Sequence, residues 1–279
     1  MAKVVRHSSQ ERRRIQSTFN SKKSSMKILL LVLSLMCFTQ KNNASSNTGL
    51  NMKTIGLLGG TGWSSTINYY TLLNELVHQK LGGYHSAKVL LKSIDYHDIM
   101  SNYGTDNDKV AQTLQHELEG LIALKPDCIL ICCNSLHKYY DLIKHNLDSS
   151  VPVFHAVELV GQHLKQQGRS NVLLLATKTT MEDGFFANIL QKYSINVTIP
   201  TQQQRDEMQK ILTVELLQNI VTEKSKAYFA SLIKGHDNLD AVVLGCTEFP
   251  LLVNQDNSVL PIIDPVRLQT VHAVDFALT

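Results

Sequence analysis

A cysteine at the end of a short apolar run occurs twice in this sequence, and this repetition constrains the fold more than any other feature. The run CILIC leads into Cys-Asn-Ser at 133–135, and the run AVVLG leads into Cys-Thr-Glu at 246–248, 113 residues later. Two further pairs of segments keep a similar offset: IGLLGG matches VLLLAT 117 residues later, and VPVFHAV matches LPIIDPV 109 residues later. Three matches in the same order predict a duplicated unit.

From residue 53 onward, short apolar runs alternate with longer amphipathic segments, such as 107–124 and 203–222. Such runs are typical of parallel strands that are buried on both faces and joined by crossover helices. We therefore predict an α/β fold of two pseudo-symmetric lobes, each a small parallel sheet flanked by helices. The first lobe is predicted to comprise 52–154 plus about 262–279, and the second to comprise 155–261.

The first 51 residues differ from the rest of the chain in charge. They carry nine Lys or Arg and one acidic residue, whereas the remaining residues carry eighteen Lys or Arg and twenty-three acidic residues. An acidic body lacks the basic surface by which proteins bind phosphate backbones, so we expect no nucleic acid partner.

Within this leader, the apolar run 28–38 is too short to span a bilayer, so no stable membrane span is expected. Its length does suit the core of a signal peptide. If residues 26–44 act as a signal, the protein is exported or periplasmic, and otherwise it is cytoplasmic. Two alternatives stay open: sequence upstream of a true start at Met52, or an organelle transit peptide. The folded body is expected to begin at Met52 in each case.

The two repeated cysteines, Cys133 and Cys246, are the first candidates for chemistry. Each follows a predicted buried strand and precedes a predicted helix, a location that lowers the pKa of a thiol. Ligands of open parallel sheets bind beyond the carboxyl ends of the strands, where both motifs lie. Two thiols from opposite lobes would form a site with two faces, in which one thiolate removes a proton from carbon and the other thiol returns one from the opposite side. The alternative is that both are packing residues, since cysteine is often buried.

Other functions for the cysteines are less well supported by their spacing. Cys128 and Cys132 alternate onto one face of their strand, which predicts packing residues. A metal site would need Cys132, Cys133 and His137, but adjacent cysteines do not follow a common finger spacing, so no metal is expected. A disulfide framework fits poorly, because the four body cysteines are clustered or buried. His137 either orients the Cys133 thiol or binds a backbone carbonyl.

Gly59-Gly60-Thr61-Gly62 forms a glycine turn after the first strand, but its spacing does not match a dinucleotide fingerprint. The N–H groups of such a turn can bind a carboxylate as readily as a phosphate. In the second copy, 177–180 supplies threonine hydroxyls, for which helix capping by Thr179 or Thr180 is the alternative. Two cations on the helix after Pro200 are candidates for a second substrate carboxylate: Arg205 and Lys210.

Four segments together resemble the aspartate/glutamate racemase family, in its cofactor-independent amino-acid racemase branch: IGLLGGTGWSSTINYY, CCNSLHK, LLLATKTTM and LGCTEFPLL. The resemblance covers essentially all of 52–279. It implies two α/β lobes with the active site between them, no pyridoxal phosphate or other cofactor, and two-base catalysis by Cys133 and Cys246. It also implies a homodimer and a small acidic amino acid as substrate.

The resemblance implies a substrate pocket lined by six polar residues: Thr61, Asn134, Ser135, Thr177, Thr180 and Thr247. Three positions depart from the usual family pattern, and they bear on the choice of substrate more than on the reaction: Thr61, Ser135 and Ala176. The expected function is therefore racemisation of aspartate, glutamate or both. A related isomerase or decarboxylase of small diacids, and an exported two-lobed binding protein whose thiols are incidental, are the alternatives.

Overall fold

Two parallel β-sheets run through residues 51–279, the part of the chain that this computed structural model describes. Residues 1–50, and with them the predicted signal-like segment 26–44, lie outside the described residues. The strands in chain order are β1 (Ile55–Gly59), β2 (Val89–Ser93), β3 (Cys128–Ile131), β4 (Asn171–Leu175), β5 (Asn196–Thr198), β6 (Ala241–Leu244) and β7 (Ile262–Ile263). The first sheet has the order β2-β1-β3, and the second has the order β5-β4-β6-β7.

Ten α-helices of the described region connect and cover these strands. They are α1 (Trp63–Leu81), α2 (His97–Met100), α3 (Asn107–Ile122), α4 (His137–Ile143), α5 (Ala156–Gln166), α6 (Lys178–Glu182), α7 (Phe185–Gln191), α8 (Gln202–Val214), α9 (Glu223–Lys234) and α10 (Pro265–Ala277). Side-chain caps define several helix starts. Asp106 accepts from the Lys109 N–H at the start of α3, and Thr201 forms a capping box with Gln204 at the start of α8.

The duplication predicted from the sequence is visible in the sheets. In each sheet the first strand of the unit lies at the centre and pairs in parallel with the second and third strands. The fourth segment of each unit then adds to the third strand. The Ile129 N–H donates to the Pro152 carbonyl at 2.9 Å in the first sheet, and the Val242 N–H donates to the Pro261 carbonyl at 2.9 Å in the second. The predicted fold class is confirmed.

Two of the predicted elements are shorter than their patterns indicate. The run VPVFH contributes a single bridge, between Val153 and Ile129, whereas the matched run of the second unit forms the two-residue strand β7. The predicted helix over 203–222 ends at Val214, and the chain turns at Asn219, which has a φ of 58°. The short edge strand β5 has too few residues to show a periodic pattern.

Apolar side chains of the two sheets form separate cores. The core of the second sheet extends from Val157 to Ile263, whereas the cores on either face of the first sheet comprise side chains from 52–153 together with α10 from Val266 onward. The chain therefore passes from one core to the other at His155 and again at Asp264. The predicted lobe boundaries, near 154 and 262, stay a prediction, and the structure pairs β7 with the second sheet.

His155 and Asp264 occupy matching positions in the duplication, and both cap the helix that follows. The Nδ1 atom of His155 accepts from the Glu158 N–H at the start of α5. A carboxylate oxygen of Asp264 accepts from the Val266 N–H at 2.9 Å at the start of α10. Each passage between the cores is thus fixed by a helix cap.

Candidate active site

The two cysteine motifs meet at the carboxyl ends of β3 and β6. The side-chain amide of Asn134, directly after Cys133, donates from Nδ2 to the carbonyl of Gly245, directly before Cys246, at 3.1 Å. Asn134 is buried, and its Oδ1 atom has no hydrogen-bond partner within the described residues. This contact between the copies of the duplicated unit brings both thiols to one site, and it leaves one buried acceptor unused there.

Cys133 leaves the end of β3 in an extended conformation and is partly exposed. Its sulfur lies 3.4 Å from the Ser135 hydroxyl and 4.0 Å from the Tyr96 hydroxyl. Both hydroxyls can donate hydrogen bonds to a thiolate. Tyr96 comes from the segment after β2, so the ends of two strands of the first sheet supply these two hydroxyls and the thiol.

Cys246 has different surroundings. Its side chain is buried, and its Sγ–H donates to the Glu248 Oε2 atom at 3.1 Å, while the Thr247 hydroxyl donates to the same oxygen at 2.9 Å. Burial, followed by the Glu248 carboxylate, raises the pKa of the Cys246 thiol well above its ordinary value. The Cys133 sulfur acts on this pKa in the same direction, whereas a hydrogen bond from the Glu248 backbone N–H acts in the opposite direction.

The prediction that helix starts lower both thiol pKa values is wrong for Cys246. No α-helix follows it directly: the chain makes a turn and then the single 3₁₀ turn Phe249–Leu251. A 3₁₀ turn, Asn134–Leu136, also separates Cys133 from α4. Without a helix dipole aimed at the sulfur, desolvation and the neighbouring carboxylate determine the pKa of Cys246.

The glycine turn between β1 and α1 lies beside these motifs. Gly60 has a φ of 90°, and a Cβ atom there would lie 2.2 Å from the Ile94 carbonyl oxygen, so this position requires glycine. The Gly60 N–H donates to the Thr66 hydroxyl. The Thr61 hydroxyl is buried and donates to the Cys132 carbonyl at 3.4 Å. The Thr61 side chain therefore supports the strand that carries Cys133.

Gly62 brings the second lobe to the start of α1. A Cβ atom at Gly62 would lie 3.4 Å from the Glu248 Oε1 atom, so the carboxylate beside Cys246 reaches the glycine turn. Gly62 is the N-cap of α1, and no side chain of the described residues caps that helix. The first-turn N–H groups of α1 therefore have no capping side chain, and the Glu248 carboxylate lies close to the N-cap residue.

The two predicted threonines of the second lobe bind each other. The Thr177 hydroxyl donates to the Thr180 hydroxyl at 2.8 Å and accepts from the Thr180 N–H, so Thr177 is the N-cap of α6. The capping role therefore belongs to Thr177 and not to Thr179 or Thr180. Thr180 is buried, and Thr177 is partly exposed at the end of β4.

The remaining cysteines and His137 have structural surroundings. Cys128 and Cys132 are both buried in the same apolar cluster, which confirms the packing prediction. The Nδ1 atom of His137 binds the carbonyls of Cys133 and Asn134 at 3.1 and 3.2 Å, and the ring is fully buried. Of the two predicted roles of His137, orienting the Cys133 thiol or binding a backbone carbonyl, the structure shows the second. Within residues 51–279, no three His, Cys, Asp or Glu side chains are grouped as metal ligands.

A buried network behind Cys133 fixes the tautomer of His137. The Gln269 Nε2 group donates to the Phe154 carbonyl and, at 3.4 Å, to the His137 Nε2 atom, while the Tyr69 hydroxyl donates to the Gln269 side-chain oxygen. Because Nε2 accepts, the proton of the neutral ring lies on Nδ1, which donates to the carbonyls beside Cys133. Helices α1, α4 and α10 thereby hold the backbone of the first motif.

We expect two buried groups to oppose each other in the pH dependence of stability. Burial, followed by the neighbouring His155, lowers the pKa of His137 to about 3, so this group's contribution is present above about pH 6.5 and is lost as pH falls toward 3. Burial raises the pKa of Asp264 to about 6, so its effect is opposite: it favours folding as pH falls from 6 to about 4. Urea unfolding of D264N at pH 6 and pH 4.5 should therefore show a steeper loss of stability on acidification than the wild type.

The matched variant H137Q should show a shallower loss than the wild type, since it removes a contribution of up to about 1.4 kcal/mol per pH unit. The measured quantity is the difference between the free energies of unfolding at the two pH values, which does not depend on the packing cost of each substitution. Equal differences in all three proteins would contradict the assignment of these two groups.

Arg205 and Lys210 are not brought to the thiols by any hydrogen bond of the described residues. Arg205 forms an ion pair with Glu182 at 3.0 Å and donates to the Pro200 carbonyl. Lys210 lies on the exposed side of α8 near Tyr228, along a surface groove. Their predicted role in holding a second carboxylate stays a prediction.

Three further side chains of the site were not singled out as site residues by the sequence analysis. Ser65 donates to the Cys132 carbonyl beside Thr61, Tyr96 contacts Cys133, and Glu248 contacts Cys246. Glu248 could have been identified from the sequence, since it is the last residue of the second Cys-Thr-Glu motif. Tyr96 follows the end of β2, where parallel sheets present functional residues, but nothing in its own segment distinguishes it from a packing tyrosine.

Two parallel sheets of corresponding strand order, with a cysteine after the third strand of each unit and a hydrogen bond between the two cysteine motifs, define a duplicated α/β protein. Residues 58–273 match the sequence model of a family described as Asp/Glu/Hydantoin racemase. The chain belongs to the Asp/Glu/hydantoin racemase family.

The chain is also similar to individual proteins whose names fit this family. A glutamate racemase from Prochlorococcus marinus (strain NATL1A) is 25% identical over 171 residues, which cover 59% of this chain and 62% of that protein. The chain thus spans less than two thirds of the length of this curated relative.

Solved structures cover the same region. A Yersinia pestis protein provisionally described as an Asp/Glu racemase has 34% identity and a TM-score of 0.74, and the match covers 82% of this chain and 100% of that one. An aspartate racemase homologue from Pyrococcus horikoshii OT3 has 26% identity and a TM-score of 0.73, with the same coverage. Among residues 51–279, no helix has both the length and the apolar character that crossing a bilayer requires.

Proposed function

We propose that this protein is a cofactor-independent amino-acid racemase, that its substrate is aspartate, glutamate or both, and that Cys133 and Cys246 are its two bases. The observation that carries this proposal is the hydrogen bond from Asn134 to Gly245, which joins the residues next to the two cysteines. Because the thiols come from different copies of the duplicated unit, they approach a bound substrate from different sides.

In the proposed reaction, one cysteine thiolate takes the α-proton of the amino acid from one face. The electron pair of the broken C–H bond stays on the α-carbon and its carboxylate, and the other cysteine thiol then gives its proton to the opposite face. The protein ends with the proton on the first sulfur and the thiolate on the second. No redox step occurs, and the reverse reaction uses the same two groups in exchanged roles.

Polar groups of the site suit the two charges of an amino acid. The buried, unpartnered Asn134 Oδ1 atom can accept a hydrogen bond from the substrate ammonium, which would remove the cost of an unsatisfied buried acceptor. The first-turn N–H groups of α1 can bind a carboxylate and stabilise the charge that develops on it. The proposal also assigns to the substrate the hydroxyls of the four other pocket residues that the family resemblance implies: Ser135, Thr177, Thr180 and Thr247.

The choice of an acidic amino acid is supported by the names of the relatives, which are glutamate and aspartate racemases. It is tested by incubating the full chain in deuterated water with single enantiomers of aspartate, glutamate and alanine. We expect α-deuteration together with formation of the other enantiomer for aspartate, glutamate or both, and much less for alanine. Nuclear magnetic resonance follows the loss of the α-hydrogen signal, and chiral chromatography follows inversion.

The same assay separates a racemase from a binding protein with incidental thiols. A binding protein would retain substrate in equilibrium dialysis but would leave its α-hydrogen in place, and this outcome would overturn the proposal. Activity should also persist with a chelator and with hydroxylamine, which traps carbonyl cofactors, and it should be lost after thiol alkylation. The C133A/C246A double variant is the matched blank for exchange without the enzyme.

A further inference from the structure

We propose that the two thiols are unequal in the substrate-free protein: the Cys246 thiol keeps its proton because it donates a hydrogen bond to the Glu248 carboxylate, whereas Cys133, which lies beside the hydroxyls of Tyr96 and Ser135, is the sulfur that loses its proton first. This inference rests on the proposed function for its catalytic meaning. Its physical content is the titration order of the two sulfurs, which is measurable whether or not the protein is a racemase.

The surroundings of Cys246 favour the protonated form. The Glu248 carboxylate lies at hydrogen-bond distance from the sulfur and already accepts from the Thr247 hydroxyl. A thiolate at 3.1 Å from this oxygen would be a second negative charge in a buried site, with no proton between them. Glu248 is itself only 9% exposed, so water screens this repulsion weakly.

The surroundings of Cys133 favour the thiolate. The Ser135 hydroxyl lies 3.4 Å from its sulfur, and the Tyr96 hydroxyl lies 4.0 Å from it. Burial, followed by the Cys133 charge, raises the pKa of Tyr96, so the phenol keeps its proton and serves as a donor. Hydrogen bonds donated to the charged form stabilise that form, and the sulfur is also partly exposed to solvent.

Other titratable groups around the thiols do not reverse this difference. Those that interact electrostatically with Cys133 are Tyr69, Tyr96, Tyr103, Cys132 and Cys246. Those that interact with Cys246 are Glu248 and Cys133. Burial is the first cause that raises the pKa of the three tyrosines and of Cys132, so these groups stay neutral near pH 7. Glu248 is therefore the acidic charge that distinguishes the two sulfurs.

With this order of protonation, the major form of the resting protein deprotonates the enantiomer whose α-hydrogen points to Cys133, and the minor form, with the proton on Cys133, deprotonates the other enantiomer. After turnover the proton is on Cys133, and the Cys246 thiolate lies against the Glu248 carboxylate. The protein resets when Cys133 releases its proton to water and Cys246 takes one from water. Glu248 acts through Cys246 as a positioning residue that drives this reset.

The experiment measures the pH dependence of alkylation of each cysteine in the full chain by iodoacetamide, with modified peptides quantified by tandem mass spectrometry. Fragment ions separate Cys133 from Cys132. The pH at which the alkylation rate of a cysteine is half of its maximum reports the ionisation of that thiol. The maximum rate itself depends on how exposed the sulfur is, so a difference in exposure does not move the midpoint. We expect the midpoint of Cys133 to lie at least about 1 pH unit below that of Cys246.

Two variants test the cause. E248Q keeps a hydrogen-bonding side chain but removes the charge, and it should lower the Cys246 midpoint by at least about 1 pH unit. Y96F removes one donor and should raise the Cys133 midpoint while leaving that of Cys246 in place. E119Q, which removes an exposed carboxylate on α3, is the matched control and should shift neither midpoint.

Equal or reversed midpoints in the wild type would overturn the inference, and so would an unchanged Cys246 midpoint in a folded E248Q. If E248Q does not fold, the order of the two midpoints in the wild type and the Cys133 midpoint in Y96F still test the inference. Failure of the proposed function has a different signature, since the midpoints could differ as expected while no enantiomer loses its α-hydrogen. Racemisation with equal midpoints would instead retain the function and reject the unequal thiols.

Discussion

Replacement of either Cys133 or Cys246 by Ala is expected to lower racemisation by about 10²- to 10⁴-fold, the usual contribution of one acid–base group. Each variant should nevertheless keep part of the reaction. The remaining thiolate can remove an α-proton from its own face and return a deuteron to the same face without inversion. C246A should therefore exchange the α-hydrogen of one enantiomer with retained configuration, and C133A should exchange that of the other enantiomer.

Exchange is the decisive measurement because the two enantiomers are equally stable, so kcat/KM for racemisation must be the same in both directions for any variant. Deuterium incorporation into each enantiomer does not have this restriction. C132A is the control, since Cys132 lies in the apolar core behind β3 and should affect stability more than exchange. Exchange of the same enantiomer by both single variants would contradict the assignment of opposite faces.

The substitution G60A is expected to destabilise the protein by about 2–5 kcal/mol, which is large relative to the stability of an ordinary domain. The added Cβ atom would lie 2.2 Å from the Ile94 carbonyl oxygen and 2.6 Å from the Ile94 amide nitrogen, and the φ of 90° disfavours any side chain. Both obstacles are backbone atoms, which no rotamer change can relieve. Urea unfolding followed by circular dichroism measures the change.

The substitution G168A separates the steric clash with Ile94 from the conformational strain of a side chain at positive φ. Gly168 also has a positive φ, of 67°, but a Cβ atom there has no neighbour within 4 Å among the described residues. Its substitution should cost only the conformational strain, about 1–2 kcal/mol. A loss of stability in G60A no larger than that in G168A would show that the turn can move away from Ile94.

The repetition in the sequence made the fold predictable. Buried parallel strands are continuous apolar runs, so β1, β3, β4 and β6 could be placed to within a residue or two, and the matched offsets indicated two similar lobes, each with its own parallel sheet. The edge strands of the sheets were harder to predict from the sequence. The strand β5 is three residues long, and the run VPVFH forms one isolated bridge, so neither segment is long enough for its apolar pattern to define its ends.

The sequence indicated that the two cysteine motifs lie together, but it did not indicate the electrostatic surroundings of the thiols. The pairing of the two cysteine motifs followed from the duplication, and the contact from Asn134 to Gly245 agrees with it. The ionisation of Cys246 depends on which element follows the strand and on where Glu248 points, and both are properties of the folded chain. A helix dipole was expected where the structure has one 3₁₀ turn and a carboxylate.

The two passages of the chain between the cores, at His155 and Asp264, each begin a helix, and those two helices pack on each other. Helix α10, which starts after Asp264, contacts both α1 beside the first sheet and α5, which starts after His155. Leu268 of α10 also packs against the core of the second sheet. A single helix near the end of the chain thus joins the two cores, so a substitution on its buried faces is expected to affect both sheets.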